Sequence, residues 1–168
     1  MLQNAVAYIN VDTAFRARDF SPYLSPGLYS SLDRALIDLQ DPDSGKYFSE
    51  IRPEYQNPGF SSDVVPFIRF AGIPVIDAGF GRTYSVYHSL YDDEMWLEKF
   101  ADPDAKFRVA LSKIVSRYLY RISNDVLLPY DFTEIQPYAS KALNALGKNV
   151  QQAQIESLRQ ELNSFHGC

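Results

Sequence analysis

The apolar residues of the first half of the chain fall into two short runs. AVAYINV at 5–11 is nearly continuous and stops at Asp12, and IPVIDAGF at 73–80 repeats the pattern. Runs of this length suit buried strands of a parallel sheet, whose two faces are both covered. Between them, Ser25-Pro26 reads as a helix N-cap followed by a first-turn proline. Leu28, Leu32, Ala35, Leu36 and Leu39 then follow at helical spacing. Residues 41–60, rich in Pro, Gly, Asp and Ser, predict a long irregular loop of a kind that often carries function. Ser61-Ser62-Asp63 can cap a helix running to about Ala71, with Pro66 near its first turn and Gly72 as its stop.

The second half is helical in period. A short helix is expected from about Met95 to Phe100. From Pro103, the residues Phe107, Ala110, Leu111, Ile114, Val115, Tyr118, Leu119 and Ile122 form one face of a long amphipathic helix. Lys106, Arg108, Lys113, Arg117 and Arg121 lie on its other side, and LLPYD at 127–131 breaks it. Ile135, Tyr138, Ala142 and Leu146 then predict a helix ended by Gly147, and Ile155, Leu158, Leu162 and Phe165 predict a last one. The expected organisation is an α/β part over 1–128 and an all-helical part over 129–168. Two strands are fewer than a stable sheet normally needs. The α/β part therefore reads as the second half of a larger domain.

Composition narrows the class. The 168 residues give room for one domain, or for a small domain with an appendage. A hydrophobic share of 46% and a charged share of 22% are globular values, and 12 Tyr and 11 Phe supply ample core material. The net charge is −5 with no basic run, which argues against nucleic-acid binding. The sole cysteine, Cys168, leaves no internal disulfide and no indication of compartment. No glycosylation sequon occurs, and the opening residues lack the basic and apolar regions of a signal peptide. No apolar run is long enough for a bilayer, so no membrane contact is expected of this segment.

In open α/β sheets, ligands gather beyond the carboxyl ends of the strands. Asp12 ends the first run, and His88, one of two histidines, sits in the tyrosine-rich loop YSVYHSLYDDE after the second. A carboxylate and an imidazole there can ligate zinc. They can equally be a helix cap or ion-pair partner and a hydrogen-bonded structural histidine, and spacing alone favours that alternative. A catalytic zinc also needs three protein ligands; His166 lies in the tail, while Asp92 and Asp93 suit caps of the following helix. The serine-hydrolase elbow, the Walker A motif and the dinucleotide-binding glycine motif are all absent.

At these same residues the sequence resembles the glutamate carboxypeptidase II and transferrin receptor family of di-zinc exopeptidase-like proteins. AYINVD at 7–12 is similar to the family strand that ends in a zinc-binding aspartate. SDVVPFIRFAGIP at 62–74 looks like the helix–strand segment beside the substrate pocket, and YSVYHSLYDD at 84–93 like the tyrosine–histidine motif. EKFADP at 98–103 and LLPYD at 127–131 match the junctions flanking the long helix. The resemblance runs, with gaps, from about residue 5 to 146. It implies the second half of a zinc-exopeptidase sheet with flanking helices, then the start of a helical homodimerisation domain. It implies Asp12 as ligand of one zinc and His88 as ligand of the other, with Tyr87 facing the substrate and helping to polarise the scissile carbonyl. The family's remaining metal ligands and its glutamate base lie upstream in family members, so the chain alone is expected to be inactive. The resemblance further implies a peptide substrate and the extracellular or lumenal part of a membrane-anchored protein.

Two departures bear on specificity. Members that prefer acidic substrates carry an arginine pair where this chain has Asp77 and Gly79, and an asparagine where it has Ser62. The implied pocket has lost positive charge and looks more like that of broad-specificity, aminopeptidase-like members. Two readings compete: a segment of a co-catalytic zinc exopeptidase, and a non-catalytic, receptor-like module on the same scaffold. Retention of Asp12 and His88 favours the first.

Overall fold

In the computed structural model the two apolar runs become β1 (Tyr8–Asn10) and β3 (Val75–Asp77), paired in parallel with Tyr8 opposite Val75 and Asn10 opposite Asp77. The structure describes residues 4–12, 14–58, 62–81, 83–146 and 152–164; Ser61, Gly147, Phe165, His166 and Cys168 lie outside the described residues. A third strand, β2 (Tyr23–Leu24), pairs antiparallel with the other side of β3, giving the sheet order β1-β3-β2. The protein is thus mixed α/β. Val75 and Ile76 of the central strand are fully buried, as the apolar run predicts. β1 is half-buried rather than buried, because no described strand covers its outer edge.

The predicted cap residues serve the sheet instead. Ser25 does not cap a helix; its Oγ accepts the Val75 N–H at 3.0 Å, and its own N–H donates to the Val75 carbonyl at 2.9 Å. Helix α1 (Tyr29–Leu36) begins after Leu28, which offers no side-chain cap. Its first N–H groups find a partner far along the chain. The Glu134 carboxylate accepts from Gly27 N and Tyr29 N at 2.9 Å and from Ser30 N at 2.8 Å, and also takes the Ser30 hydroxyl. At the other end, Arg117 donates to the carbonyls of Ala35 and Ile37. Negative charge at a helix N-terminus and positive charge at its C-terminus both complement the macrodipole.

The segment 41–60 is more ordered than its composition predicts. Asp41 accepts from the N–H and hydroxyl of Ser44, and Phe48 opens a one-turn helix, α2 (Phe48–Ile51), with its ring fully buried. Helix α3 (Val65–Phe70) carries Pro66 in its first turn and ends at Gly72, as the sequence predicts. Its N-cap is Val64, without a side-chain bond; Ser62 bonds elsewhere, as described below. Asp93 does cap the next helix, α4 (Glu94–Trp96), accepting from Trp96 N, and a π-helical turn continues it over Leu97–Ala101.

Asp102 and α5 (Lys106–Asn124) follow. The Asp102 carboxylate is 1% exposed and accepts from Phe107 N, Arg108 N and the partly exposed Arg108 guanidinium, so the ADP turn caps α5 with a half-buried ion pair. Phe107, Leu111, Ile114 and Tyr118 point into the core at four–three–four spacing, while Ala110, Val115 and Ile122 flank it. Leu119, expected on the same face, is half exposed, since it falls beyond the stripe that α1 covers. Leu28, just ahead of α1, and Leu32 and Leu36 within it share this core with Phe20, Phe48 and Phe80. The Tyr118 hydroxyl accepts from Ser31 Oγ at 3.1 Å, and burial pushes its pKa up to about 12.

A 3₁₀ turn (Phe132–Glu134) leads into α6 (Ile135–Leu146), which packs against α7 (Gln152–Ser164), with Arg159 donating to Asn144. Among the described residues no helix is long and apolar enough to cross a membrane.

Glu134→Ala removes four accepted bonds and leaves three N–H donors without their partner. The expected loss is about 2 kcal/mol in urea denaturation, and an unchanged midpoint would show that α1 does not depend on this cap. Gly81→Ala is expected to cost more, about 3 kcal/mol. Gly81 has φ +75°, and an added Cβ would lie 2.2 Å from Ala17 N.

Candidate functional site

The parallel register of β1 and β3 brings their carboxyl ends to one edge of the sheet, and the loops that leave them are tied together there. The Phe80 carbonyl accepts from the backbone N–H groups of Arg16 and Ala17, Phe80 N donates to Ala14 O, and Gly81 N donates to Asp19 O. Asp12, Arg16, Ser21, Tyr23, Asp77 and Gly79 line the narrow cleft between these loops, whose free volume is about 10 Å³. That is roughly the room for one water.

At the floor of this edge lies a polar network. Asn10, the last residue of β1, is buried and donates from Nδ2 to Asp77 Oδ1 at 3.0 Å and to Ser62 Oγ at 3.4 Å. Ser62 Oγ donates to Asp77 Oδ2 at 3.0 Å. Tyr8 donates to Asn10 Oδ1 at 3.3 Å, with its ring stacked on Phe67 of α3. Burial raises the Asp77 pKa; the bonds from Ser62 and Asn10 and the charge of Arg16 oppose the shift, and nearby Asp12 adds to it. Three residues singled out from sequence, Ser62, Asp77 and Asp12, are therefore electrostatic neighbours, with Gly79 on the same wall.

Asn10 was missed by the sequence reading, although it is the single uncharged polar residue inside an otherwise apolar run. Its amide donates to the Asp77 carboxylate, so a charged acceptor on the neighbouring strand accounts for an Asn in a buried position.

His88 lies in a turn built by its neighbours. Tyr87 N donates to Tyr84 O, and both the N–H and the hydroxyl of Ser89 donate to Val86 O. Tyr84 donates to Asp92 at 2.6 Å and packs on Tyr87 and Trp96; burial, then Asp92, push its pKa up to about 12. Asp92 thus anchors the turn, while Asp93 supplies the expected cap. His88 has φ +60°, a left-handed backbone of the kind that collects at functional sites. Its imidazole stacks on the Tyr87 ring at 3.8 Å, is exposed, and makes no hydrogen bond to a described residue. The Asp12 carboxylate is likewise exposed and neither caps a helix nor forms an ion pair among the described residues. Among the described residues, the structural alternatives offered for the two side chains thus find no partner.

An aspartate oxygen and an imidazole nitrogen match the donors zinc takes, but two donors fall short of three. Among the described residues no three His, Cys, Asp or Glu side chains gather to hold a metal ion.

Comparison with known proteins supplies the context. No family model matches the chain. It is 34% identical over 137 residues to a probable glutamate carboxypeptidase, LAMP1, of Arabidopsis thaliana, covering 77% of this chain and 20% of that protein. It is 33% identical over 163 residues to a probable glutamate carboxypeptidase, VP8, of Zea mays, covering 86% and 22%. It is 31% identical over 136 residues to an inactive zinc metalloprotease, C354.09c, of Schizosaccharomyces pombe, covering 77% and 17%. The chain thus spans about a fifth of the length of the curated relatives it matches. The similarity takes in most of the sequence, and by it the chain belongs to the glutamate carboxypeptidase II/transferrin receptor-like family.

Proposed function

We propose that this chain contributes two metal ligands and one wall of the substrate pocket to a di-zinc exopeptidase acting on small peptides. Asp12 holds one zinc ion and His88 the other, and the remaining ligands and the glutamate base come from elsewhere in the complete protein. The observation that carries the reading is the state of the two side chains. Asp12 ends the loop edge formed by β1 and β3, His88 follows from the same edge, and neither has an intramolecular hydrogen-bond or ion-pair partner among the described residues. Bound zinc would supply a Lewis acid and an activated water at neutral pH.

The chain's own residues do the positioning. Tyr87, stacked on His88, presents its hydroxyl to the substrate carbonyl oxygen, and the stack fixes the imidazole plane. Ser62, Asp77 and Gly79 form the wall beside Asp12. A substrate side chain at this wall meets a carboxylate held by neutral donors, with the single cation Arg16 nearby, where an arginine pair would attract an acidic group bidentately. Acidic side chains are therefore disfavoured there.

A second reading, a non-catalytic module, is favoured by one finding: the fission yeast relative is named an inactive zinc metalloprotease. For the complete protein we further propose an extracellular or lumenal ectodomain. In it residues 129–168 begin a helical dimerisation domain, with Leu158 and Leu162 of α7 at the contact.

The isolated chain is expected to show no chelator-sensitive peptidase activity; such activity in the purified 168-residue product would mean that the ligand set is misassigned. In a complete protein containing it, His88→Ala should lower kcat/KM by more than the 10–100-fold typical of residues that support a ligand from behind. Retained activity would favour the non-catalytic reading. Asp77→Arg with Gly79→Arg should raise cleavage of acidic relative to neutral dipeptides about tenfold, about 1.4 kcal/mol. An unchanged ratio would remove these positions from the pocket. Leu158→Glu with Leu162→Glu should shift sedimentation toward monomer, and identical profiles would exclude α7 from the contact.

A further inference from the structure

The groove between α1 and the segment from α2 to Tyr55 is left unused by the peptidase reading. Its volume is about 440 Å³, inside the range of roughly 300–1,000 Å³ for small-molecule sites. Ile37, 47% exposed, and the half-buried Pro53 supply the accessible apolar wall, with Leu36 and Phe48 buried beneath it. Two cations share the lining: Arg34 from the last turn of α1 and Arg52 at the C-cap of α2.

The charge in this groove is unbalanced. Neither guanidinium makes a hydrogen bond or ion pair with a described residue; Arg34 acts on Asp131 through space alone. The carboxylate in the groove, Asp33, already accepts the Tyr55 hydroxyl, whose ring leans on Tyr29. The groove lining therefore carries two arginines against one aspartate, a positive excess beside apolar surface in a chain of net charge −5. Arg52 also keeps a left-handed backbone, φ +49°, where glycine or asparagine would fit with less strain. Its N–H closes the α2 turn on Phe48 O, so this conformation is what sets Arg52 on the groove wall.

We propose that this groove binds a small organic carboxylate with an apolar body, the carboxylate between Arg34 and Arg52 and the body against Ile37 and Pro53. A bare anion leaves the apolar wall wet, and a neutral hydrophobe leaves the positive excess of the groove unanswered. Arginine suits the role because its planar fork matches a carboxylate. None of the residues placed at the sheet edge takes part, so the proposal stands or falls independently of the metal site.

The test is calorimetric titration of the full chain with 4-phenylbutyrate, with 4-phenylbutanol and inorganic phosphate as the neutral and bare-anion controls. One saturable phenylbutyrate site is expected, with binding at least tenfold weaker for the alcohol and no saturable phosphate binding. Arg34→Gln with Arg52→Gln should weaken phenylbutyrate at least tenfold. Arg52→Gly, which keeps the left-handed turn and removes the charge, should weaken it by itself. Absence of a saturable site in the wild-type chain, equal binding in the charge variants, or phosphate binding as tightly as phenylbutyrate would overturn the proposal.

Discussion

Helix α1 is held at both ends by charges from distant parts of the chain, and much of the structure depends on that clamp. Eight residues are too few to be helical alone in water. Glu134 takes the N-terminal N–H groups and Arg117 the C-terminal carbonyls, each in the sense the helix dipole favours. So fixed, α1 lays Leu32 and Leu36 against Phe107, Leu111 and Ile114 of α5 and closes the core over the sheet. The same contacts hold the start of the C-terminal helices in place. Asp131 N donates to Gly27 O, and the Tyr130 hydroxyl donates to Val6 O, just ahead of β1.

The sheet edge inherits its geometry from this arrangement. Ser25, one turn ahead of α1, is stitched to Val75, which sets β2 and β3 side by side, and β3 in turn fixes β1 in register. Asn10 and Asp77 are then opposite each other, close enough for the amide to satisfy the carboxylate. A half-buried carboxylate needs such donors to stay tolerable, and Ser62 supplies the second from the turn before α3. The wall beside Asp12 is therefore a preformed polar surface, and Asp77 sets its charge.

What the sequence revealed depended on how local each cause was. The parallel pair and α5 were legible because their signals are periodic and repeat over many residues. β2 was not, since two residues between prolines carry no period. Ser25 and Ser62 were read as caps because the local pattern matches one, yet β3 offers each a partner that lies far along the chain. The true cap of α1, Glu134, lies more than a hundred residues away and has no local signature. Motif resemblance singles out Asp12, His88, Tyr87, Ser62, Asp77 and Gly79, and of these the structure brings Asp12, Ser62, Asp77 and Gly79 together at one edge of the sheet. The Asn10 bond that unites three of the elements is a tertiary fact, and so is the left-handed backbone that presents His88.

The central claim is that Asp12 and His88 bind metal in the complete protein, and zinc-edge anomalous diffraction from crystals of that protein tests it most directly. The account predicts anomalous density at about 2.0–2.2 Å from an Asp12 carboxylate oxygen and from an imidazole nitrogen of His88. Zinc bound elsewhere, or no anomalous signal with zinc supplied, while both side chains keep the unengaged positions described here, would contradict it.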